Sequence, residues 1–346
     1  MGIEKEIRKI SVSEVAEICQ QALKQVGASP QAVEAVTEAL VWCELCGISS
    51  HGLNMLPIYM ERASKGGIHP DAHPQLVHEC GGLIRMDGNG TFGQYIAQHG
   101  TKLIIEKAKT HGISLVSIFK GNHAGALGFF TQQIAAAGLI GFMVHNSNPA
   151  VAPFGGCEAI LGTNPLSFAF PNDRFPVLVD MATSATAKGK LYELAHVGDQ
   201  IPEGLALNAQ GEATTSLKEA LNGILLPLGG AKGYSLAVAV EMLTGVLAGG
   251  LLGPETPSFH QMADQPQNVS MLMMAFDVAA IIPLEEYRER AGKLAQKLTS
   301  SAPTAGVERV WMPGETEARR AEEREKEGIP IKVSILEEIE MYTRER

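Results

Sequence analysis

The sequence predicts an α/β protein: a mixed sheet with helices packed on it, preceded by a helical N-terminal region. Three observations predict it. Apolar residues recur at helical spacing between start and stop signals over positions 11 to 66, and from position 74 short apolar runs alternate with helical stretches in a βαβα rhythm. The chain also has 346 residues, 45% of them hydrophobic, so it can bury a sizeable core as one large or two moderate domains.

The elements follow in order. Ser11 and Glu14 form a capping box, and Val15, Ile18, Ala22 and Val26 make one face of a first helix that Gly27 stops. Ser29-Pro30 opens a second, with Pro at the first helical position, ending at Gly47. A third is expected from Gly52 through Ala63 to the pair Gly66-Gly67, leaving Ser49-Ser50-His51 in the break between helices. Leu76 to His78 and Leu83 to Met86 read as a hairpin, 93 to 110 as a helix, Ile113 to Phe119 as a strand, 125 to 136 as a helix and Leu139 to His145 as a strand. Strands at Leu166 to Phe170 and Val177 to Val179 precede a loop-rich stretch. An apolar helix over Lys232 to Leu247, a strand at Met271 to Phe276, a helix over Leu284 to Leu298 and a Glu-rich amphipathic end complete the chain.

Composition excludes several function classes. With 28 basic against 38 acidic residues the chain carries −10, whereas a general nucleic-acid binder needs a cationic face to displace counterions. At 19% charged it is not a disordered tail. Its five cysteines are scattered, and MGIEKEIRKI lacks the apolar stretch of an export signal, so a reducing cytoplasm is the expected compartment. The apolar segment 235 to 254 contains Glu241 and four glycines and reads as a buried helix rather than a membrane span.

Four constellations could carry chemistry. Gly88-Asn89-Gly90-Thr91-Phe92-Gly93 is a literal G-x-G-x-x-G between a strand and a helix, but Phe119-Lys120 stands where a ribose-binding carboxylate belongs, and a plain turn explains it as well. Cys43, Cys46 and His51 could ligate zinc in a hydrolase or lyase. The two cysteines lie in an apolar helix, however, and the second ligand pair of a zinc motif is missing, which favours a core role. Gly229 to Tyr234 places glycines and Lys232 at a helix start, suited to an anion or equally to a surface turn. Polar residues at strand ends, among them His51, His123, Ser147, Thr163 and Asp180, stand where α/β proteins place their sites.

At these same residues the sequence resembles the malate/L-lactate dehydrogenase family of the second type. The matching stretches are SSHGLNMLPIYMERASKGGI (49 to 68), GNHAGALGFFTQQIAAAGLIGF (121 to 142), NSNPAVAPFGG (146 to 156), LGTNPLSFAFP (161 to 171), VDMATS (179 to 184), GGAKGY (229 to 234) and MPGE (312 to 315), in the family's order and over most of the chain. The resemblance implies an NAD- or NADP-linked oxidoreductase acting on a carbon next to a carboxylate, as a homodimer, on a family-specific fold that is not of the Rossmann type. The glycine motif at 88 to 93 should then be a false positive. It further implies a helical, substrate-side domain of residues 1–120 with 284–346 and a cofactor-binding α/β domain of residues 121–283.

By the same comparison His51 is the expected proton donor with Asp180 as its partner, and His123 is the second candidate. Ser147, Asp180, Met181, Ala182, Lys232, Gly233, Pro313, Gly314 and Glu315 are expected at the cofactor, and Ser50 and Thr163 at a small carboxylic acid substrate, with no metal. One departure stands out: Met55 replaces an arginine that many relatives carry four residues after the histidine, suited to clasping the substrate carboxylate. Either another cation such as Lys188 or Lys190 takes over, or the substrate is more apolar near that wall. A dinucleotide-binding protein that lost turnover with that arginine is the non-enzymatic alternative.

Overall fold

The computed structural model describes residues 6–194 and 198–344; the first five residues, part of the segment read above for an export signal, lie outside them. Strand β1 (Ile7–Ile10) leads into α1 (Val12–Gln25) and α2 (Pro30–Cys46). Ser11 Oγ accepts the Glu14 N–H as expected, but the Glu14 carboxylate turns to Arg8 instead of closing the capping box. Ser29 Oγ caps α2, and Gly47, at φ +77°, ends it in the left-handed region.

The third helix begins later than its periodicity suggests. Two 3-10 turns, Ser49–His51 and Leu53–Met55, come first, and α3 spans Leu56–Lys65. Pro57 is tolerated only in a helix's first turn, so the helix cannot extend back to Gly52. These helices pack around Leu23, Leu40, Leu53, Leu56 and Tyr59, with Ile329, Ile331 and Ile339 from the other end of the chain.

Next come β2 (Gln75–Cys80), β3 (Leu83–Asp87), α4 (Gly93–His111), β4 (Ile113–Gly121), α5 (Gly128–Ala136), β5 (Leu139–His145), β6 (Leu166–Phe170), β7 (Val177–Met181) and α6 (Lys188–Leu194). The loop-rich stretch holds three two-residue strands, β8 (Ala206–Leu207), β9 (Ala213–Thr214) and β10 (Ile224–Leu225), around α7 (Leu217–Asn222). Then follow α8 (Ala231–Glu241), β11 (Val269–Asp277), α9 (Leu284–Thr299), α10 (Glu315–Glu327), β12 (Ile329–Lys332) and α11 (Val333–Arg344). By length and composition Ala231–Gly249 could cross a membrane, but it continues past α8 as π-helix and packs against the sheet, with Glu241 hydrogen-bonded inside the fold.

The main sheet has seven strands in the order β2-β3-β4-β11-β5-β6-β7. Only β3 and β4 are parallel neighbours; β11 enters from far along the chain, antiparallel to both β4 and β5. The sheet is therefore mixed, as expected. Two pairings were not legible in advance: β1 with β12, which joins the two ends of the chain, and the small β10-β8-β9 sheet. The main core lies between the sheet and helices α4 and α5, around Val116, Ile118, Phe130, Met143, Met271 and Met273. The polar ends of β5, β6 and β7 and the loop after β4 face the N-terminal helices across a cleft.

Candidate active site

The turn that carries His51 is built from a buried carboxylate. Glu44, on α2 and 1% exposed, accepts the Ser49 hydroxyl (3.0 Å) and the Leu53 N–H (2.8 Å), so it holds both sides of the turn. A Cβ at Gly52 would overlap Glu44 Oε1, which is why glycine stands there. Arg320 and Arg324, on α10, donate to the carbonyls of Cys46 and Glu44 and anchor the turn from the far end of the chain. At the centre, His51 Nδ1 meets Ser50 Oγ at 3.0 Å.

His123 comes from the loop after β4. Asn122 beside it, 1% exposed, donates to the carbonyls of Gly90 and Thr91 and accepts from the Gln267 N–H, while the His123 N–H donates to Gln267 Oε1. This explains the literal glycine motif. A Cβ at Gly93 would overlap the carbonyl oxygens of Asn122 and His123, and one at Gly88 would press on the Lys120 carbonyl at 2.8 Å. Lys120 is paired with Asp87. Gly88 and Gly93 admit the backbone of the His123 loop, and Gly90 packs against His69, so close packing within the protein accounts for all three glycines.

The two imidazoles stack, with ring centroids 5.7 Å apart and planes 22° from parallel. Tyr59 Oη lies 2.8 Å from His123 Nδ1, and Phe259 packs on the ring at 4.8 Å. Burial lowers the pKa of both histidines. For His123 the fall is large: burial is the main cause, and His51, His145, His260 and the Arg62 guanidinium add to it. Arg62 itself is fully buried and donates to the carbonyls of Phe259, Met262 and Gln265.

Asp180, near the end of β7, accepts the N–H of Gly128 at the start of α5 at 2.7 Å, the favoured end of a helix for an anion. Surrounding protein pushes its carboxyl up to about 7, against the opposing Gly128 hydrogen bond. The side chain nevertheless faces the open cleft, where water moderates that rise. The expected Asp180–His51 pair is not the contact His51 makes: its Nδ1 is taken by Ser50, and Asp180 is turned to the helix.

Ser147 and Thr163 bond each other, Ser147 Oγ accepting the Thr163 N–H at 3.0 Å. Behind them Glu241 accepts from Asn146, Asn164 and the Gly253 N–H, so a buried carboxylate again fixes the backbone beneath the site. The Pro313 carbonyl accepts the Leu178 N–H, and Gly314 at φ +85° lies where a Cβ would press on Leu178, so this loop is stitched to β7 two residues from Asp180.

A cleft of about 480 Å³ joins these parts. Ser50, His51, His123, Ser147, Thr163, Asp180, Met181, Ala182 and Gly314 line it, as do two cations, Lys190 and Arg320. Four expected residues stand outside its lining. Lys232 is exposed at the start of α8, and Gly233 packs beneath it, where a Cβ would overlap the Leu228 carbonyl and press on that of Thr183 at 2.8 Å. Pro313 contributes its carbonyl to β7. Glu315 is 4% exposed; burial would raise its pKa, but the Met312 N–H and the Arg319 and Arg309 guanidiniums outweigh burial and hold it low. Met55 is buried in the N-terminal core and offers no contact to the cleft.

Sequence reasoning missed Arg320, Tyr59, Gln94 and Glu44. Arg320 had a signal: with Glu317 and Arg324 it forms one face of the helix that MPGE opens. The geometry offers the zinc reading no support. Cys43 and Cys46 are buried in the apolar α2, and burial pushes the Cys46 thiol up to about 12 and that of Cys43 well above its usual value, as for cysteines packed as small hydrophobes. Among the described residues no group of three or more His, Cys, Asp or Glu is placed to hold a metal ion.

Residues 10–340 match the model of the malate/L-lactate dehydrogenase family. The chain belongs to that family. It is 36% identical to a malate dehydrogenase of Pyrococcus abyssi over 97% of this chain and 94% of that protein. Its fold superposes on the sulfolactate dehydrogenase of Methanocaldococcus jannaschii with a TM-score of 0.91 at 30% identity, covering 98% and 97% of the two chains. It likewise superposes on the δ1-piperideine-2-carboxylate reductase of Pseudomonas syringae with a TM-score of 0.87 at 26% identity, covering 97% and 99%. In this chain the mixed sheet, whose only parallel neighbours among the described strands are β3 and β4, frames the cleft.

Proposed function

We propose that this protein is an NAD- or NADP-dependent oxidoreductase that interconverts a small 2-hydroxy acid, or a cyclic 2-amino acid, with its 2-oxo or imino acid. The observation that carries the reading is the cleft itself. It gathers three histidines (His51, His123 and His145), two cations, serine and threonine hydroxyls and the Met181-Ala182 backbone from stretches far apart in the chain, and the relatives are named for such substrates.

The residues present suit a nicotinamide cofactor. The lining combines hydroxyls at Ser147 and Thr163 with apolar surface at Leu178, Met181 and Pro165, a set that matches the amide, ring face and sugar of a nicotinamide. Ser147, Asp180, Met181, Ala182 and Gly314 would hold it, with Lys232, Gly233, Pro313 and Glu315 as supporting positions. When bound, the cofactor supplies or accepts the hydride at its nicotinamide C4.

The chain's own groups do the rest. Lys190 and Arg320 draw in the substrate carboxylate that Met55 does not contact, and Ser50 fixes the His51 ring through Nδ1. The proton then moves at Nε2 of His51, or of His123. Burial favours the neutral form of both rings, and an anionic substrate beside them favours the charged, proton-donating form. The N-terminal helices with residues 284–346 form the substrate side and residues 121–283 the cofactor side, in a cytoplasmic homodimer.

The test is a screen for oxidation of NADH and NADPH against pyruvate, oxaloacetate, branched 2-oxo acids, sulfopyruvate and cyclic imines. Turnover with at least one compound is expected, with near-complete loss in His51→Ala. Tight binding of reduced cofactor with no turnover of any 2-oxo acid or imine would favour the non-catalytic alternative.

A further inference from the structure

We propose that Gln94 and Tyr59 are positioning residues that decide which ring nitrogen of His123 carries its proton. The inference rests on the reading that His123 shares the proton-transfer duty. Both residues are 1% exposed and form a chain behind the ring: Gln94 Nε2 donates to Tyr59 Oη at 2.6 Å, and Tyr59 Oη lies 2.8 Å from His123 Nδ1. At its far end Gln94 Oε1 is buried with no partner among the described residues. The groups facing His123 are His51 from the 3-10 turn, Arg62 from α3, His145 from β5, and His260, while Asp180 shares the cleft. Among the described residues no carboxylate is hydrogen-bonded to the ring.

A primary amide can face either way with nearly the same shape, and each choice fixes the direction of the whole chain. With the Gln94 NH2 toward Tyr59, the phenol hydrogen goes to His123 Nδ1. The ring is then neutral, with its proton on Nε2 and no spare proton to give. With the amide reversed, the Tyr59 hydroxyl donates to Gln94 Oε1 and its oxygen accepts from His123 Nδ1–H. Only this second direction serves proton transfer. The Nε2–H bond breaks, its electron pair stays on the ring, an O–H or N–H bond forms on the substrate, and the neutral Nδ1–H ring remains hydrogen-bonded as before. Each direction leaves one amide atom unpaired, so neither is favoured on that count and the chain can reverse.

The two replacements of Gln94 therefore have opposite consequences, which a loosened structure would not produce. In Gln94→Glu the carboxylate only accepts and locks the catalytic direction; in Gln94→Leu the side chain cannot accept, and Tyr59 must donate to Nδ1. The measurement is a 15N NMR titration of labelled histidines in the wild type, both variants and Tyr59→Phe, with turnover measured in parallel. Gln94→Glu is expected to raise the His123 pKa by about one pH unit and enrich the Nδ1–H tautomer, and Gln94→Leu to lower it by about as much and enrich Nε2–H. If the Glu variant does not fold, Gln94→Leu and Tyr59→Phe suffice: the first must enrich Nε2–H and the second must erase that bias. Equal tautomer ratios throughout, or shifts of one sign in both Gln94 variants, overturn the inference. NMR shifts of opposite sign without a change in turnover uphold the hydrogen-bond chain and instead remove His123 from catalysis.

Discussion

Replacing Glu44 tests whether the His51 turn is held by acceptor geometry. In Glu44→Ala the buried Leu53 N–H and the Ser49 hydroxyl both lose their partner, and a cavity opens on α2. An unpaired buried donor costs about 1–3 kcal/mol, so two of them with partial collapse of the cavity come to about 3–5 kcal/mol. In a chain of this size that lowers the melting temperature by about 4–7 °C. A turn released by as little as about 1 Å costs roughly 100-fold in rate, so kcat should fall further than stability alone explains.

Glu44→Gln keeps an acceptor for Leu53, and its amide can donate to Ser49, so turnover should stay within about threefold of wild type. The sign of the pH dependence follows from burial, which raises the Glu44 pKa against opposing hydrogen bonds from Leu53 and Ser49. Stability from this group is full below its usual value of 4.5 and is lost as pH rises through the raised folded value, so the Gln variant should have a flatter stability profile above pH 4.5. Thermal melts from pH 4 to 8 with turnover on the best substrate provide the assay. If Glu44→Ala melts and turns over as wild type, or if Gln proves as damaging as Ala, the carboxylate does not hold the turn in the way described.

Three further outcomes are expected. Gly93→Ala, which drives a Cβ into the rigid backbone of Asn122 and His123, should lose about 1–3 kcal/mol of stability and lower kcat while leaving cofactor Kd within about twofold; a large loss of cofactor affinity alone would return the glycine motif to phosphate binding. Arg320→Ala and Lys190→Ala should each raise the KM for the acid by about tenfold or more, and unchanged steady-state KM values in both would place the carboxylate elsewhere. Asp180, whose pKa burial raises and cleft water partly restores, contributes stability that is full below its usual 3.8 and lost as pH rises through the raised folded value, so Asp180→Asn should flatten denaturant midpoints above pH 3.8; a slope equal to the wild type's would contradict that environment.

Much of this fold can be read from local signals. Ser29-Pro30 and Gly47 bracket α2 because a cap, a fixed φ and a left-handed stop act within a few residues. The strands β5 and β6 are apolar runs bounded by loop residues and needed no partner to be recognised. The insertion of β11 between β4 and β5, and the union of β1 with β12, depend on pairing across more than a hundred residues, which periodicity does not encode. The strands of the small sheet have two residues each, too few for any period.

The site divides along the same line. His51, His123, Ser147, Thr163 and Asp180 stand at strand ends or helix breaks and share a cleft. Glu44, Tyr59 and Gln94 lie inside helical segments that read as core, and their roles come from turns and rings brought to them by the fold. Met55 shows the converse: a position expected near the substrate is buried in the N-terminal core, and the cations that face the cleft lie on α6 and α10.

The most direct measurement is a crystal structure with reduced coenzyme and a bound 2-oxo acid analogue. The expected result is a nicotinamide ring against Met181 and Ala182, with the substrate carbon between its C4 and the imidazole of His51. A ring seated at the 88–93 glycine loop, or anywhere beyond reach of His51 and His123, would contradict the proton-donor assignment.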